Sequence, residues 1–348
     1  MKILFLFIFF NYVIGYKVNE YKLLNTIYEF KKNKNKHKGI LAMDESIPTI
    51  GKRFSNYNIK NTKFNRNRYR NVLLQTPELN KYVSGCILYE ETFLQQKNIL
   101  PKKNILLGVK LDQGLLSVAP NKFITKGLDH LEDKCILYEK LGITFAKWRS
   151  VFYVSEHFDD TNIKENCIHL ARYAQICQKY NIVPIVEPEI LMDGNHSIYE
   201  TAKFQEHILK TMYHIFHEYN IFLEATILKT NFICPGISSL KKTYPTQVAN
   251  LTMNTFDKSV PSNVPIIAML SGGLSEKTAS LYLHFLSLLK KKNKNKWNIT
   301  FSFGRALQNS CLKTWNGKNK NIYSSQKMLL QKLIDNTQAN IGKYKQKI

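Results

Sequence analysis

Three lysines, Lys110, Lys147 and Lys229, each stand near the end of a short apolar run, in LLGVKLD, TFAKWRS and LEATILKTN. Other runs close on carboxylates: Asp44 after GILAM, Glu90 after SGCILY, and Glu187 and Glu189 on either side of Pro188 in IVPIVEPEI. Taken singly, a lysine so placed snorkels or pairs with an acid. Several aimed into one confined space are different, because adjacent ammonium groups and partial desolvation both disfavour the charged form and lower a lysine's pKa. An amine freed in this way attacks a carbonyl, and the product is a Schiff base. Alternation along a strand puts Glu187 and Glu189 on one face. They are ion-pair partners for the lysines, or the groups that move protons during carbinolamine formation and dehydration; one carboxylate can do both.

Two further segments suit anions. Ser271-Gly272-Gly273 and Ser302-Phe303-Gly304-Arg305 each close an apolar run. Loops after the last two strands of a barrel are the common phosphate site, with backbone N–H donors and an arginine as bidentate clamp.

For these residues to act together, the fold must bring both ends of the chain to one place. The β-rich apolar runs cover 39–45, 84–91, 106–112, 144–150, 182–190, 223–231, 266–273 and 298–306. Helical candidates such as 161–180, 197–219 and 275–291 lie between them, with apolar residues recurring at three and four. Eight such units without an interdomain linker predict an α/β fold, a single-domain (β/α)8 TIM barrel, with a two-domain doubly wound protein as the alternative. Strand ends then meet on one face of the barrel. At about 100–200 residues per domain, a chain of 348 residues would first suggest two domains. Its 44% hydrophobic and 22% charged residues exclude wholesale disorder, collagen and a polytopic membrane protein.

The net charge of +24 calls for an anionic partner or a compositional cause. Much of it lies in Lys/Asn-rich runs at 31–38, 60–70 and 290–296 and in the closing GKYKQKI. These carry few aromatics and no recognisable nucleic-acid motif, so they read as solvated loops and no nucleic acid is expected. The six cysteines have no zinc spacing, and most read as buried thiols. His207, His214 and His217 fit a helix surface better than a metal site, and neither metal nor cofactor is implied. At the N-terminus, Met1-Lys2, an apolar run from Ile3 and Gly15 read equally as a signal peptide or as an apolar extension. The segment is too short to span a bilayer.

The motifs carry a resemblance. G-I-L-A-x-D-E-S (Gly39 to Ser46), F-A-K-W-R (Phe145 to Arg149), L-A-R-Y-A-x-I-C-Q (Leu170 to Gln178), I-V-P-I-V-E-P-E-I (Ile182 to Ile190), L-K-x-N (Leu228 to Asn231), L-S-G-G-x-S-E (Leu270 to Glu276) and T-F-S-x-G-R-A-L-Q (Thr300 to Gln308) resemble class I fructose-bisphosphate aldolase, in order, from about Lys22 to Tyr344. The resemblance implies a metal-independent, Schiff-base cleavage of fructose 1,6-bisphosphate in glycolysis. It makes Lys229 the Schiff-base lysine, Glu187 the general acid/base, Asp44 the carboxylate at the C4 hydroxyl and Lys147 the stabiliser of charge there. Glu189, Lys110 and Arg149 become supporting residues. Ser271, Gly272, Ser302, Gly304 and Arg305 fall at the phosphate of the ketone half, and Ser46, Thr49 and Lys52 at the other. A homotetramer in the cytosol is implied, with the secretory route as the alternative if the N-terminal segment is a signal. So is a competing role: a catalytically weak paralogue binding actin or acidic peptides.

Several positions depart from the family. Met43 stands for Ala, Thr230 for the Pro after the lysine and Phe303 for Tyr, and the chain is about a dozen residues shorter between Glu91 and Lys110. The family continues past G-K-Y into a tail ending in Tyr, whereas Tyr344 belongs to the internal G-K-Y and the chain stops at Ile348, which predicts slower turnover. The expected organisation is an extension at 1–17, a barrel at 18–344 and a short tail at 345–348.

Overall fold

The computed structural model describes residues 18–32, 37–96, 98–155, 160–293 and 296–345. The apolar N-terminal segment 1–17 and the last residues, 346–348, lie outside the described residues, and with them the signal-like reading and most of the tail. Among the described residues there are ten strands: β1 (Gly39–Met43), β2 (Val83–Leu88), β3 (Leu106–Lys110), β4 (Leu115–Ala119), β5 (Lys122–Thr125), β6 (Phe145–Phe152), β7 (Val183–Ile190), β8 (Ile227–Thr230), β9 (Ile266–Met269) and β10 (Asn298–Phe303). Eight of them close a parallel barrel in the order β1-β10-β9-β8-β7-β6-β3-β2. The expected (β/α)8 barrel is therefore the fold. The antiparallel hairpin β4–β5, inserted after β3, was not expected: the alternation in LLSVA and KFIT is too short to stand out beside the barrel strands.

Helices cover the barrel from outside, because each strand is apolar on both faces, as a parallel sheet requires. The helical candidates appear as Asp160–Lys179, Ile198–Glu218 and Glu276–Asn293, within a few residues of the pattern. The second begins at a capping box, in which Ser197 and Glu200 each satisfy the other's backbone N–H.

Inside the barrel, alternate residues stack in layers. Ile40, Ala42, Ile87, Phe145, Val183, Ile185, Ile227, Ile266 and Ala268 form an apolar plug, closed below by Leu23, Ile27 and Phe30 of helix Glu20–Lys31. Phe30 meets Phe145 edge to face, with ring centroids 5.2 Å apart. Phe145 has room because Gly108 and Gly85 stand opposite; a Cβ on Gly108 would overlap its ring. Further up four of these strands the inward residues turn ionic. Ile185 gives way to Glu187 and Glu189, Ile227 to Lys229, Phe145 to Lys147 and Arg149, and Ala42 to Asp44. The plug is thus the floor on which the charged layer rests.

Candidate active site

The charged layer lines a cleft of about 910 Å³ at the C-terminal ends of the barrel strands. Every residue the resemblance assigns to the site reaches it: Asp44, Ser46, Thr49, Lys52, Lys110, Lys147, Arg149, Glu187, Glu189, Lys229, Ser271, Gly272, Ser302, Gly304 and Arg305. Of the strand-end carboxylates Glu90 does not, and it accepts from the Tyr138 hydroxyl at 2.6 Å instead. Seven cationic side chains face five carboxylates, so the cleft favours an anion.

At its floor, Glu187 joins two lysines. Lys229 Nζ lies 2.9 Å from Oε1 and Lys147 Nζ lies 3.2 Å from Oε2, all three groups being nearly inaccessible. Lys147 also reaches Asp44 at 2.9 Å and Asp112 at 3.7 Å. The expectation that crowding lowers a lysine's pKa fails for Lys147. Burial does oppose its charge, but Asp44, Glu187 and Asp112 outweigh burial and hold the ammonium well above the ordinary lysine range. Conversely, burial would raise the Asp44 carboxyl, yet Lys147, Lys229 and Lys110 hold it far below the usual carboxylate range. Asp44 and Lys147 are therefore both ionised at neutral pH. Lys110 is fixed by Asp112 at 2.7 Å, and Arg149 by Glu189 at 2.8 Å.

The two ends of the cleft are built from backbone. Ser46 precedes helix Ile47–Ser55, and its hydroxyl lies 3.0 Å from that of Thr49, with both at the helix N-terminus. Opposite, Ser271-Gly272-Gly273 makes a turn closed by the Leu274 N–H on the Ser271 carbonyl, at 2.7 Å. Gly272 (φ +44°) and Gly273 (φ +88°) take left-handed conformations that suit glycine. Gly304 then precedes helix Arg305–Trp315, and Arg305 turns its guanidinium toward Gly273.

Sequence reasoning missed Glu45 and Arg53, and it gave Asp112 no role. All three line the cleft. Glu45 carries Arg53 on one oxygen and Arg70 on the other, the latter at 2.6 Å, while Arg53 reaches Gln308 at 3.1 Å. The available signal was the i,i+4 spacing of Thr49 and Arg53, which places both on one face of the helix. Phe303 is fully buried against Phe301, and Met43 is fully buried in the outer core. Tyr344 packs against His284, with centroids 6.4 Å apart, and does not line the cleft.

Elsewhere, all six cysteines are buried free thiols. His207 pairs with Asp160 at 2.7 Å and His214 with Glu218 at 3.3 Å. Among the described residues no group of three or more His, Cys, Asp or Glu is arranged to hold a metal, and no helix is long and apolar enough to cross a membrane.

A closed parallel barrel with its ionic groups gathered at the strand C-termini defines an enzyme of the (β/α)8 class. Residues 28–348 match the family model described as fructose-bisphosphate aldolase class-I. The chain is 42% identical to fructose-bisphosphate aldolase 4, cytosolic, of Arabidopsis thaliana over 88% of its own length and 80% of the relative's. It is also 42% identical to fructose-bisphosphate aldolase 2 of Caenorhabditis elegans, over 88% and 86%. Among solved structures it resembles the fructose-bisphosphate aldolase of Plasmodium falciparum, in a ternary co-crystal with TRAP and a small-molecule inhibitor. The TM-score there is 0.92 at 39% identity, covering 97% of this chain and 100% of that one. The chain belongs to the class-I fructose-bisphosphate aldolase family, and it is a lyase.

Proposed function

We propose that the cleft cleaves fructose 1,6-bisphosphate reversibly to dihydroxyacetone phosphate and glyceraldehyde 3-phosphate through a Schiff base on Lys229. The observation that carries this reading is the Lys229–Glu187–Lys147 bridge. The Lys229 amine adds to the C2 carbonyl. Glu187, 2.9 Å from that nitrogen, carries the proton that lets the carbinolamine lose water and leave an iminium. Asp44, kept ionised by the lysines around it, takes the proton of the C4 hydroxyl. The C3–C4 bond then breaks, its electrons pass into the iminium as an enamine, and the aldehyde half leaves. Lys147, which stays an ammonium, stabilises charge at C4. Protonation at C3 and hydrolysis release the ketone half and restore the amine.

A substrate with a phosphate at each end suits a cleft with a helix N-terminus and Lys52 on one side and Arg305 with the Ser271-Gly272 turn and the strand-end Ser302 and Gly304 on the other. Lys110, Arg149 and Glu189 line the walls between. Lys229→Met is expected to abolish cleavage while leaving the fold intact; retained activity would contradict the assignment.

We further propose a cytosolic location, since relatives such as the Arabidopsis protein are named cytosolic, and a homotetramer, which rests on the family resemblance alone. Sedimentation and sequencing of the mature N-terminus test the two points. The reading as a weak paralogue that binds actin or acidic peptides is not favoured, because the ionic layer of the cleft is fully assembled.

A further inference from the structure

The strands that carry Glu187 and Lys229 are poorly joined where the two residues meet. β8 pairs with β9 along its whole length, through Thr230↔Met269, but with β7 only at Ile185↔Ile227 and Val186↔Leu228. The ladder stops one residue short of the Glu187–Lys229 level. Proline is the reason. Odd residues of β7 turn their peptide groups toward β6, as the Leu191 N–H on the Phe152 carbonyl shows at 2.9 Å. Even residues turn toward β8, as the Ile190 N–H does. Pro188 is even and has no N–H, so it removes the next rung.

Side chains from the end of β8 and the residue after it bridge the gap. Asn231 Oδ1 accepts the Ile190 N–H at 2.8 Å, and its Nδ2 donates to the Ile190 carbonyl at 2.9 Å, mimicking a backbone pair. The Thr230 hydroxyl faces the Pro188 carbonyl at 3.5 Å. It is oriented from behind by Gln205 of helix Ile198–Glu218, whose Nε2 donates to the Thr230 Oγ1. All three side chains are buried. Asn231 also borders the glycine turn, since a Cβ on Gly272 would stand 3.0 Å from its Nδ2.

We propose that Asn231, with Thr230 as a second tie, is a positioning residue that replaces the rung lost at Pro188 and so holds Glu187 in register with Lys229. The proposal rests on the roles assigned above to those two residues. Neither Asn231 nor Thr230 lines the cleft.

The test compares Asn231→Ala, Thr230→Val and Thr230→Ser in the full chain, by steady-state kinetics, borohydride trapping with dihydroxyacetone phosphate, and thermal unfolding. Asn231→Ala is expected to lower kcat about tenfold to a hundredfold, the scale set by a misplacement of about 1 Å, to slow adduct formation at Lys229, and to leave KM within about threefold. Thr230→Val is expected to lower kcat several-fold, and Thr230→Ser, which keeps the hydroxyl, to restore it. If Asn231→Ala does not fold, the Val and Ser pair decides. Wild-type kcat in the folded variants, with only the melting temperature lowered, overturns the proposal alone. A wild-type protein that forms no adduct at Lys229 overturns the underlying reading and the proposal with it.

Discussion

Lys229 and Lys147 are bound to opposite oxygens of a single buried carboxylate, that of Glu187, at 2.9 and 3.2 Å. The acid can exchange a proton with one amine while the other, locked among Asp44, Asp112 and Glu187, stays charged. One carboxylate thus separates two lysines into a nucleophile and a fixed cation.

Glu187→Gln keeps the shape and removes the proton exchange. The expected result is a kcat lower by roughly a hundredfold to ten-thousandfold, the usual worth of general acid–base catalysis. Steady-state assay decides it, and a kcat within tenfold of wild type would exclude Glu187 from that role.

The depressed Asp44 carboxyl sets an acid limit on stability. Its folded-state value lies below the ordinary 3.8, so the unfolded chain binds the extra proton. The resulting stability is fully present above about pH 5 and is lost as pH falls through the folded value. Lys147 acts in the other direction: its raised value contributes stability below the ordinary 10.5, lost as pH rises through the folded value. Denaturant unfolding across pH should show wild type losing stability faster than Asp44→Asn on acidification; parallel curves would contradict the linkage.

Glu45, in the lining of the cleft, holds Arg53 and Arg70 together, with only 12% of its side chain exposed. Removing one charge from such a group leaves the others buried and uncompensated, so Glu45→Gln should cost about 3–5 kcal/mol. Urea unfolding measures it, and a loss below 1 kcal/mol would show that the network is not structural.

Gly108→Ala probes the floor. The added methyl would overlap the Phe145 ring, which fills the barrel beneath Lys147. Overpacking of this kind costs about 1–3 kcal/mol. The melting temperature should fall, and an unchanged value would mean that the ring has somewhere to move.

The barrel was legible because its strands are short apolar runs, most of which end in a charge, and strand alternation alone puts Glu187 on the inward face of Ile185 and Lys229 on that of Ile227, one layer further up. Local pattern could not show the pairing of charges across strands. Crowded lysines suggested a lowered pKa, whereas Lys147 is surrounded by acids from just beyond β1, from beyond β3 and from β7, and its shift is upward. Glu45 and Arg53 were hidden for the same reason, since their partners Arg70 and Gln308 come from other elements. The hairpin β4–β5 went unseen because it contributes half-exposed residues and little core.

The most direct measurement is reductive trapping of the wild-type protein with dihydroxyacetone phosphate and borohydride, followed by peptide mapping by mass spectrometry. One covalent adduct, on Lys229 and absent from Lys229→Met, is the expected result. An adduct on Lys147 or Lys110 instead, or none while cleavage activity persists, would contradict the Schiff-base assignment.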